Sequence, residues 1–241
     1  MDNPLLYQVD SYLKEFNASV MDTDPESHAI LLDQTAFFPG GGGQLYDTGF
    51  LIIEDQKLNV IRARHSPKGV MHEMDSNVPL PKAGTPVKGI LDWERRYQLM
   101  RTHTAMHILC GVIFRDFQVL VTGGDMEPLK GRMDFEFESL TRDLVKVIED
   151  AVNREVAASH PVKISILPRE EAFRIPDLIR TKINLLPEHI TSIRIVEIVG
   201  LDLQADGGTH VNNTSEVGSM HMVDYKSKGK INKRIYIELD P

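Results

Sequence analysis

The sequence of residues 86–113 is PVKGILDWERRYQLMRTHTAMHILCGVI, and it marks a change in how the chain is organised. No proline occurs between Pro86 and Pro128, and apolar residues recur at spacings of three and four. Such spacing predicts an amphipathic helix, and Asp92 is placed to cap its first turn. We therefore expect a boundary near residue 90, with one domain at residues 1–90 and a second at residues 91–241.

The sequence before this helix predicts short strands. Apolar segments such as Ala29–Leu32 and Leu51–Ile53 are separated by turn-forming residues, among them Asp24-Pro25 and four consecutive glycines. Strands this short and this closely spaced are typical of a small barrel or sandwich.

The sequence after the helix predicts an α+β domain, with helices packed on a mainly antiparallel sheet. A second helix is expected from Thr141 to Ser159, with an apolar stripe formed by Leu144, Val147, Ile148, Ala151 and Val152. Alternation of apolar and polar residues at Met133, Phe135 and Phe137 predicts a half-buried strand. Further strands are expected at residues 162–166, 192–199, 219–223 and 233–239.

The composition favours a cytoplasmic protein with no membrane partner. The 241 residues are 41% hydrophobic but contain no apolar run of about 18 residues, the length that a membrane-spanning helix needs. The first ten residues lack the basic and apolar segments of a signal peptide. Cys110 is the single cysteine, so an internal disulfide is excluded. No feature of the sequence indicates an obligatory protein partner.

The distribution of charge leaves two interpretations open. The net charge of −8 argues mildly against a nucleic-acid partner. Basic residues nevertheless cluster near the start of the predicted helix and near the C-terminus: Arg95, Arg96, Arg101, Lys228, Lys230, Lys233 and Arg234. Such clusters are either local phosphate-binding patches or ordinary solvated surface.

Two histidines in the predicted helix form a candidate metal-binding pair. His103 and His107 are four residues apart, so both imidazoles lie on one helix face and can reach one ion. A zinc-protease helix has glutamate directly after its first histidine, and here that residue is Thr104. The alternative is a pair of ordinary, partly buried histidines. Cys110 is seven residues from His103, about 10 Å along the axis, and is interpreted as a core residue.

Two glycine-containing segments complete the set of candidate site residues. Asp206-Gly207-Gly208-Thr209-His210 follows apolar strands, and His210 is a candidate third ligand of a catalytic zinc. Gly40, Gly41, Gly42 and Gly43 precede Gln44 and would expose backbone N–H groups to a bound oxygen. No Gly-Lys-Ser/Thr follows, so this run is not a Walker loop, and a mobile turn is the alternative.

Taken in order, these segments resemble a known family. The sequence is similar to the editing domain of alanyl-tRNA synthetase and to its free-standing relatives, the AlaX proteins of medium length. The matching stretches are residues 32–39, 41–44, 91–96, 103–107, 131–135, 206–218 and 228–234. The resemblance implies a small β-barrel joined to an editing domain, and we expect no aminoacylation domain.

The resemblance also implies a reaction, a cofactor and a substrate. The family hydrolyses the ester that links mischarged serine, and in some members glycine, to alanine tRNA. One Zn²⁺ would be held by His103, His107 and His210, while Asp206 stands where the family motif has cysteine. Three histidines suffice for a catalytic site, so we expect Asp206 to function without being an obligatory ligand. Asp206 is a possible fourth ligand, and the alternatives are that it orients water or shapes the turn.

Several residues receive roles from the same resemblance. The pocket for the amino acid would include Thr35, Gln44 and Thr104, with the glycine run Gly40–Gly43 helping to form it. The basic residues named above would hold the tRNA acceptor end, mostly through phosphates.

Two other functions are compatible with these residues. A metallohydrolase acting on a small ester or amide would share the zinc but would not bind RNA in a salt-dependent way. A non-catalytic RNA-binding module would bind tRNA without deacylating it.

Overall fold

The computed structural model describes residues 4–54, 56–75, 79–182, 186 and 190–241. The chain forms two compact units, which meet in sequence between Tyr97 and Gln98. The α+β class is confirmed, while the domain division at residue 90 stays a prediction. No helix in the described ranges has the length and apolar character needed to cross a bilayer.

The first unit contains the β-barrel. Among the residues described there, six antiparallel strands close in the order β1-β2-β5-β4-β3-β6. The strands are β1 (Glu15–Asp24), β2 (Ala29–Leu32), β3 (Gly49–Ile53), β4 (Gln56–Ser66), β5 (Gly69–Met74) and β6 (Pro86–Leu91). Buried and exposed residues alternate along β6, because successive side chains of a strand point to opposite faces. The inward residues, including Phe16, Leu32, Phe37 and Leu51, form the barrel core.

The second unit contains two antiparallel sheets with helices. Its elements are α1 (Trp93–Phe117, which begins in the first unit), β7 (Val121–Glu127), β8 (Lys130–Phe135), α2 (Arg142–Ala157), β9 (Val162–Pro168), α3 (Arg169–Ala172), β10 (Ser192–Ile198), β11 (Asp202–Ala205), β12 (Met220–Ser227) and β13 (Lys233–Leu239). One sheet has the order β11-β10-β9 and the other has the order β12-β13-β8-β7.

The two long helices begin where the sequence predicts. Asp92 Oδ1 accepts from the backbone N–H of Arg95 at 3.3 Å, which confirms its capping role for α1. Thr141 caps α2 through a 3.2 Å hydrogen bond to the N–H of Leu144.

The apolar stripe of α2 differs in part from the prediction. The buried residues of this helix are Val145, Ile148, Ala151, Val152 and Val156. Val147 is 57% exposed, so its predicted place on the stripe is wrong. The buried positions follow the three- and four-residue spacing from Val145, and Val147 lies off that face.

Candidate metal centre

Four side chains of the second unit converge at one point. His103 and His107 lie on α1, one turn apart, and Asp206 and His210 lie on the loop that follows β11. One potential ligand atom from each residue lies within 4.8 Å of the other three. The structure therefore brings together the three predicted histidines, and it adds Asp206 to them.

The carboxylate of Asp206 faces two of the imidazoles. Its Oδ2 is 2.9 Å from His210 Nε2, and its Oδ1 is 3.5 Å from His103 Nε2. The backbone N–H of Gly208 also donates to Oδ2, at 2.8 Å. These contacts place the acid among the histidines rather than at the edge of the group.

This donor set fits a zinc ion. Ligand atoms at Zn–N and Zn–O distances of about 2.0–2.2 Å around a tetrahedral ion are about 3.4 Å apart. The distance of 3.5 Å from Asp206 Oδ1 to His103 Nε2 matches that spacing, while the distance of 2.9 Å from Oδ2 to His210 Nε2 is shorter. Three imidazoles and one carboxylate are also ligands that zinc accepts, and the carboxylate offsets part of the charge of the ion.

Burial and neighbouring charges together set the protonation states of His103, His210 and Asp206. Burial lowers the pKa of His103 well below its usual value and lowers the pKa of His210 to about 4. Burial opposes ionisation of Asp206, but the surrounding histidines outweigh it and hold the pKa of this carboxyl well below its usual range. Neutral imidazoles beside a carboxylate anion are the forms that bind metal.

His210 and His107 each have a hydrogen-bond partner outside the four converging residues. His210 Nδ1 is 3.1 Å from Thr104 Oγ1, which also accepts from the N–H of Val211 at 3.2 Å. His107 Nδ1 is 3.1 Å from Asp202 Oδ2. For His107, burial lowers the pKa, but the hydrogen bond and charge of Asp202 outweigh burial and the pKa is raised.

Arg194 on β10 holds the backbone of Asp206. Its Nη1 donates to the carbonyl of Asp206 at 3.0 Å, and its own carbonyl accepts from the N–H of Asp206 at 3.1 Å. Sequence reasoning missed both Arg194 and Asp202. The available signal was an isolated charged residue within each of the apolar segments around Ile193–Val196 and Leu201–Leu203.

Thr104 and Thr35 are both completely buried. Thr104 contacts His210 and Val211, as described above. Thr35, in the first unit, accepts from the N–H of Phe37 at 3.1 Å and is 2.8 Å from His72 Nε2. Since His72 Nδ1 is 3.0 Å from the carbonyl of Ile30, that nitrogen donates and the Thr35 hydroxyl donates to Nε2. Both hydroxyls are thus engaged in internal hydrogen bonds.

The glycine run forms a tight turn in the first unit. Gly41 and Gln44 exchange backbone hydrogen bonds of 3.0 and 2.9 Å, so Gly42 and Gly43 occupy the two central positions. Their φ values are 59° and 88°, in the left-handed region that favours glycine. The turn itself is therefore a reason for glycine at these positions. Gln44 is 3% exposed.

Two of the three basic residues near the start of α1 are in the first unit, and they differ in exposure. Arg96 is completely buried and its guanidinium bonds Asp47. Its predicted role as a tRNA contact stays a prediction, and the burial of its guanidinium argues against that role. Arg95 is half-buried and donates to the carbonyl of Tyr46 at 3.3 and 3.2 Å. In the second unit, Arg101 donates to the carbonyls of Val217 and Asp240.

The C-terminal basic residues divide into two groups. Lys233 is buried and donates to the carbonyls of Gly229 and Lys230 at 2.8 and 3.0 Å. Arg234 binds both oxygens of Asp134, at 2.6 and 2.7 Å. Lys228 and Lys230 are exposed on the loop that Lys233 holds. The two exposed lysines are therefore the members of this group that a phosphate can reach.

Cys110 lies in α1 and is 2% exposed, as predicted for a core residue. Burial, followed by the nearby charge of Asp202, raises the pKa of its thiol above the usual range. It is not one of the four converging residues.

Comparisons with known proteins cover both units. The family described as class II (A) tRNA synthetases matches residues 8–95, and the threonyl and alanyl tRNA synthetase second additional domain matches residues 193–236. The alanyl-tRNA editing protein AlaX-M of Saccharolobus solfataricus is 41% identical over 238 residues, 98% of each chain. AlaX-M of Methanosarcina acetivorans is 36% identical over 98% of each chain. The alanine–tRNA ligase of Pyrococcus furiosus is 35% identical over 92% of this chain but only 24% of the ligase.

Proposed function

The chain belongs to the AlaX-M family of alanyl-tRNA editing proteins, and from that membership we propose that it deacylates mischarged tRNA(Ala) in trans. The substrate we assign is Ser-tRNA(Ala), with Gly-tRNA(Ala) as the second to test. The observation that carries the proposal is the convergence of His103, His107, Asp206 and His210. The products would be free serine and uncharged tRNA, so the reaction would protect the fidelity of translation.

We assign the four converging residues to one Zn²⁺, with Asp206 as the fourth ligand. This revises the expectation that three histidines act without it, because the carboxylate lies 2.9 Å from His210 and 3.5 Å from His103. Zinc held by four protein ligands would have to accept an additional ligand in order to polarise the ester carbonyl or to lower the pKa of a water.

The residues around the four ligands would keep the site in one geometry. Arg194 fixes the backbone of Asp206, and Thr104 fixes the ring of His210 through Nδ1. Both contacts are internal to the second unit, so they do not depend on substrate. In this proposal Thr104 orients a ligand, in place of the contact with the amino acid expected from the sequence.

Discrimination between serine and alanine has to come from the serine hydroxyl. Alanine is smaller than serine, so a pocket that admits serine cannot exclude alanine by size. A site with polar groups that pair with the hydroxyl leaves those groups unpaired when alanine enters. Thr35 and Gln44 stay the candidates for these polar groups, as expected from the sequence.

Deacylation assays on tRNA(Ala) charged with serine, glycine or alanine test the proposal. We expect release of serine and retention of alanine by protein loaded with Zn²⁺. Equal release of serine and alanine would contradict the specificity. Salt-dependent binding of tRNA without any release would instead support a non-catalytic RNA-binding module. Hydrolysis of small esters without tRNA binding would indicate a general metallohydrolase. The cytoplasmic location stays a prediction.

A further inference from the structure

Asp202 contacts the proposed metal centre from outside the four ligands. It is the first residue of β11, its side chain has no exposed surface, and its Oδ2 is 3.1 Å from His107 Nδ1. We propose that Asp202 is a positioning residue that fixes the orientation and tautomer of His107 for metal binding. This inference rests on the proposed zinc site.

The hydrogen bond decides which nitrogen of His107 is available. A carboxylate only accepts hydrogen bonds, so the ring must carry its proton on Nδ1. Nε2 then keeps its lone pair and becomes the ligand atom. A carboxylate in this position also increases the basicity of the ring, and losing such a partner typically lowers metal affinity about 10–100-fold.

Asp202 is itself held by two neighbours. Gln204 Nε2 donates to Oδ2 at 2.7 Å, and Arg180 Nε lies 3.6 Å from Oδ1. The guanidinium of Arg180 lies over the ring of Phe114, 3.7 Å from its centroid. The guanidinium of Arg180 and the ring of His107 thus both contact this buried carboxylate.

Gly111 allows the segment that carries Asp202 to approach α1. It lies one helical turn after His107, and a Cβ placed on it would be 3.0 Å from Asp202 Cβ and 3.2 Å from the carbonyl oxygen of Leu201. Glycine inside a helix destabilises it by about 1 kcal/mol relative to alanine. The close approach to Asp202 gives a structural reason for glycine here.

The test compares metal binding by the full-length protein and three variants. Zn²⁺ affinity is measured by competition with a chromophoric chelator, and the ligand geometry is followed through the visible absorption spectrum of the Co²⁺-loaded protein. Asp202→Asn removes the charge and offers an amide that can donate to Nδ1, which favours the wrong tautomer. Gly111→Ala displaces Asp202 by a few tenths of an ångström without changing any polar group.

Asp134→Asn is the matched control. Asp134 is another buried aspartate of the second unit, but it binds Arg234 and is not one of the converging residues. We expect Asp202→Asn to bind Zn²⁺ about 10–100-fold more weakly with an altered Co²⁺ spectrum. Gly111→Ala should show a smaller loss, and Asp134→Asn should match the wild type in affinity and spectrum.

The outcomes separate this inference from the proposed function. Wild-type protein that binds no Zn²⁺ would overturn the zinc site and the role of Asp202 with it. Wild-type affinity and an unchanged Co²⁺ spectrum in Asp202→Asn would overturn the positioning role alone. If Asp202→Asn fails to fold, Gly111→Ala decides: wild-type affinity and an unchanged spectrum in that variant would overturn the role.

Discussion

Arg96 Nε lies 3.0 Å from both carboxylate oxygens of Asp47, and neither side chain has more than 2% of its surface exposed. The other guanidinium nitrogens donate to the carbonyls of Ser11 and Ala36, at 3.0 and 2.6 Å. This ion pair therefore connects the start of α1 with three other segments of the first unit.

We predict that Arg96→Met lowers the free energy of unfolding by about 3–5 kcal/mol, because it leaves the Asp47 carboxylate buried and unpaired. The sole tryptophan, Trp93, belongs to this unit, so urea unfolding followed by its fluorescence reports on the unit. Arg95→Met, at a half-buried neighbour, is the control and should unfold near the wild-type midpoint. An Arg96 variant with unchanged stability but weakened tRNA binding would support its role as an RNA contact.

A second prediction concerns the pH dependence of the barrel. Burial lowers the pKa of His72 to about 4, against about 6.5 in an unfolded chain. The unfolded state therefore takes up the proton first as pH falls from 6.5 to 4. Stability should be complete above this window and fall by about 3 kcal/mol across it.

The variant His72→Asn separates this contribution from other titrating groups. Its amide can still donate to the carbonyl of Ile30, but it does not titrate. We expect the difference in unfolding free energy between wild type and variant to shrink as pH falls from 7 to 4. A difference that is constant over this range would show that His72 does not titrate on unfolding.

The third prediction concerns the histidine ligands. Wild-type protein should contain one zinc per chain by metal analysis, and His103→Ala should lose most of it because one of the three imidazole ligands is removed. His221→Ala changes an exposed histidine of β12 that pairs with Asp240, and it should keep full zinc content. Equal zinc in His103→Ala and wild type would contradict the assignment.

Substitutions of Asp206 distinguish a ligand from a structural acid. If its carboxylate binds the ion, Asp206→Ala should lose zinc affinity and deacylation together. Asp206→Cys introduces the residue of the family motif and should retain zinc, with a thiolate-to-metal absorption band in the Co²⁺ form. If Asp206→Ala keeps its full zinc content but has no activity, Asp206 is not a zinc ligand and instead orients water or substrate.

The fifth prediction concerns contacts with tRNA. Lys228 and Lys230 are exposed on one loop, so the double change to alanine should weaken tRNA binding and leave stability unchanged. Each lost phosphate contact should reduce the slope of log K against log[salt] by about 1. Lys146→Ala, on the exposed face of α2, is the control. If the double variant has the same slope of log K against log[salt] as the wild type, this loop is not part of the tRNA-binding surface.

Local patterns were enough to predict most of the fold. Strand β13 has the predicted bounds, Lys233–Leu239, and β2 has the predicted bounds, Ala29–Leu32. Both are short apolar runs with clear turn residues beside them. The spacing of His103 and His107 also predicted their convergence, because helix geometry fixes the distance between residues four apart.

The rest of the site depends on contacts between residues that are far apart in the sequence, and the spacing of residues along the chain does not predict such contacts. Arg194 reaches Asp206 only because β10 pairs with β11, whose last residue is Ala205. Asp202 reaches His107 because Gly111 opens space on α1, a relationship between residues far apart in sequence. The burial of Arg96 was not predicted, because an adjacent pair of arginines gives no sign of which one is buried.

The composition of the centre has a consequence for chemical damage. Metal sites that include a thiolate are inactivated when peroxide or an alkylating reagent attacks the sulfur. The four converging residues here contain no sulfur, and the only thiol of the chain, Cys110, is buried with a raised pKa. A metal centre held by these four residues should therefore resist the oxidants and thiol reagents that attack a metal-bound thiolate.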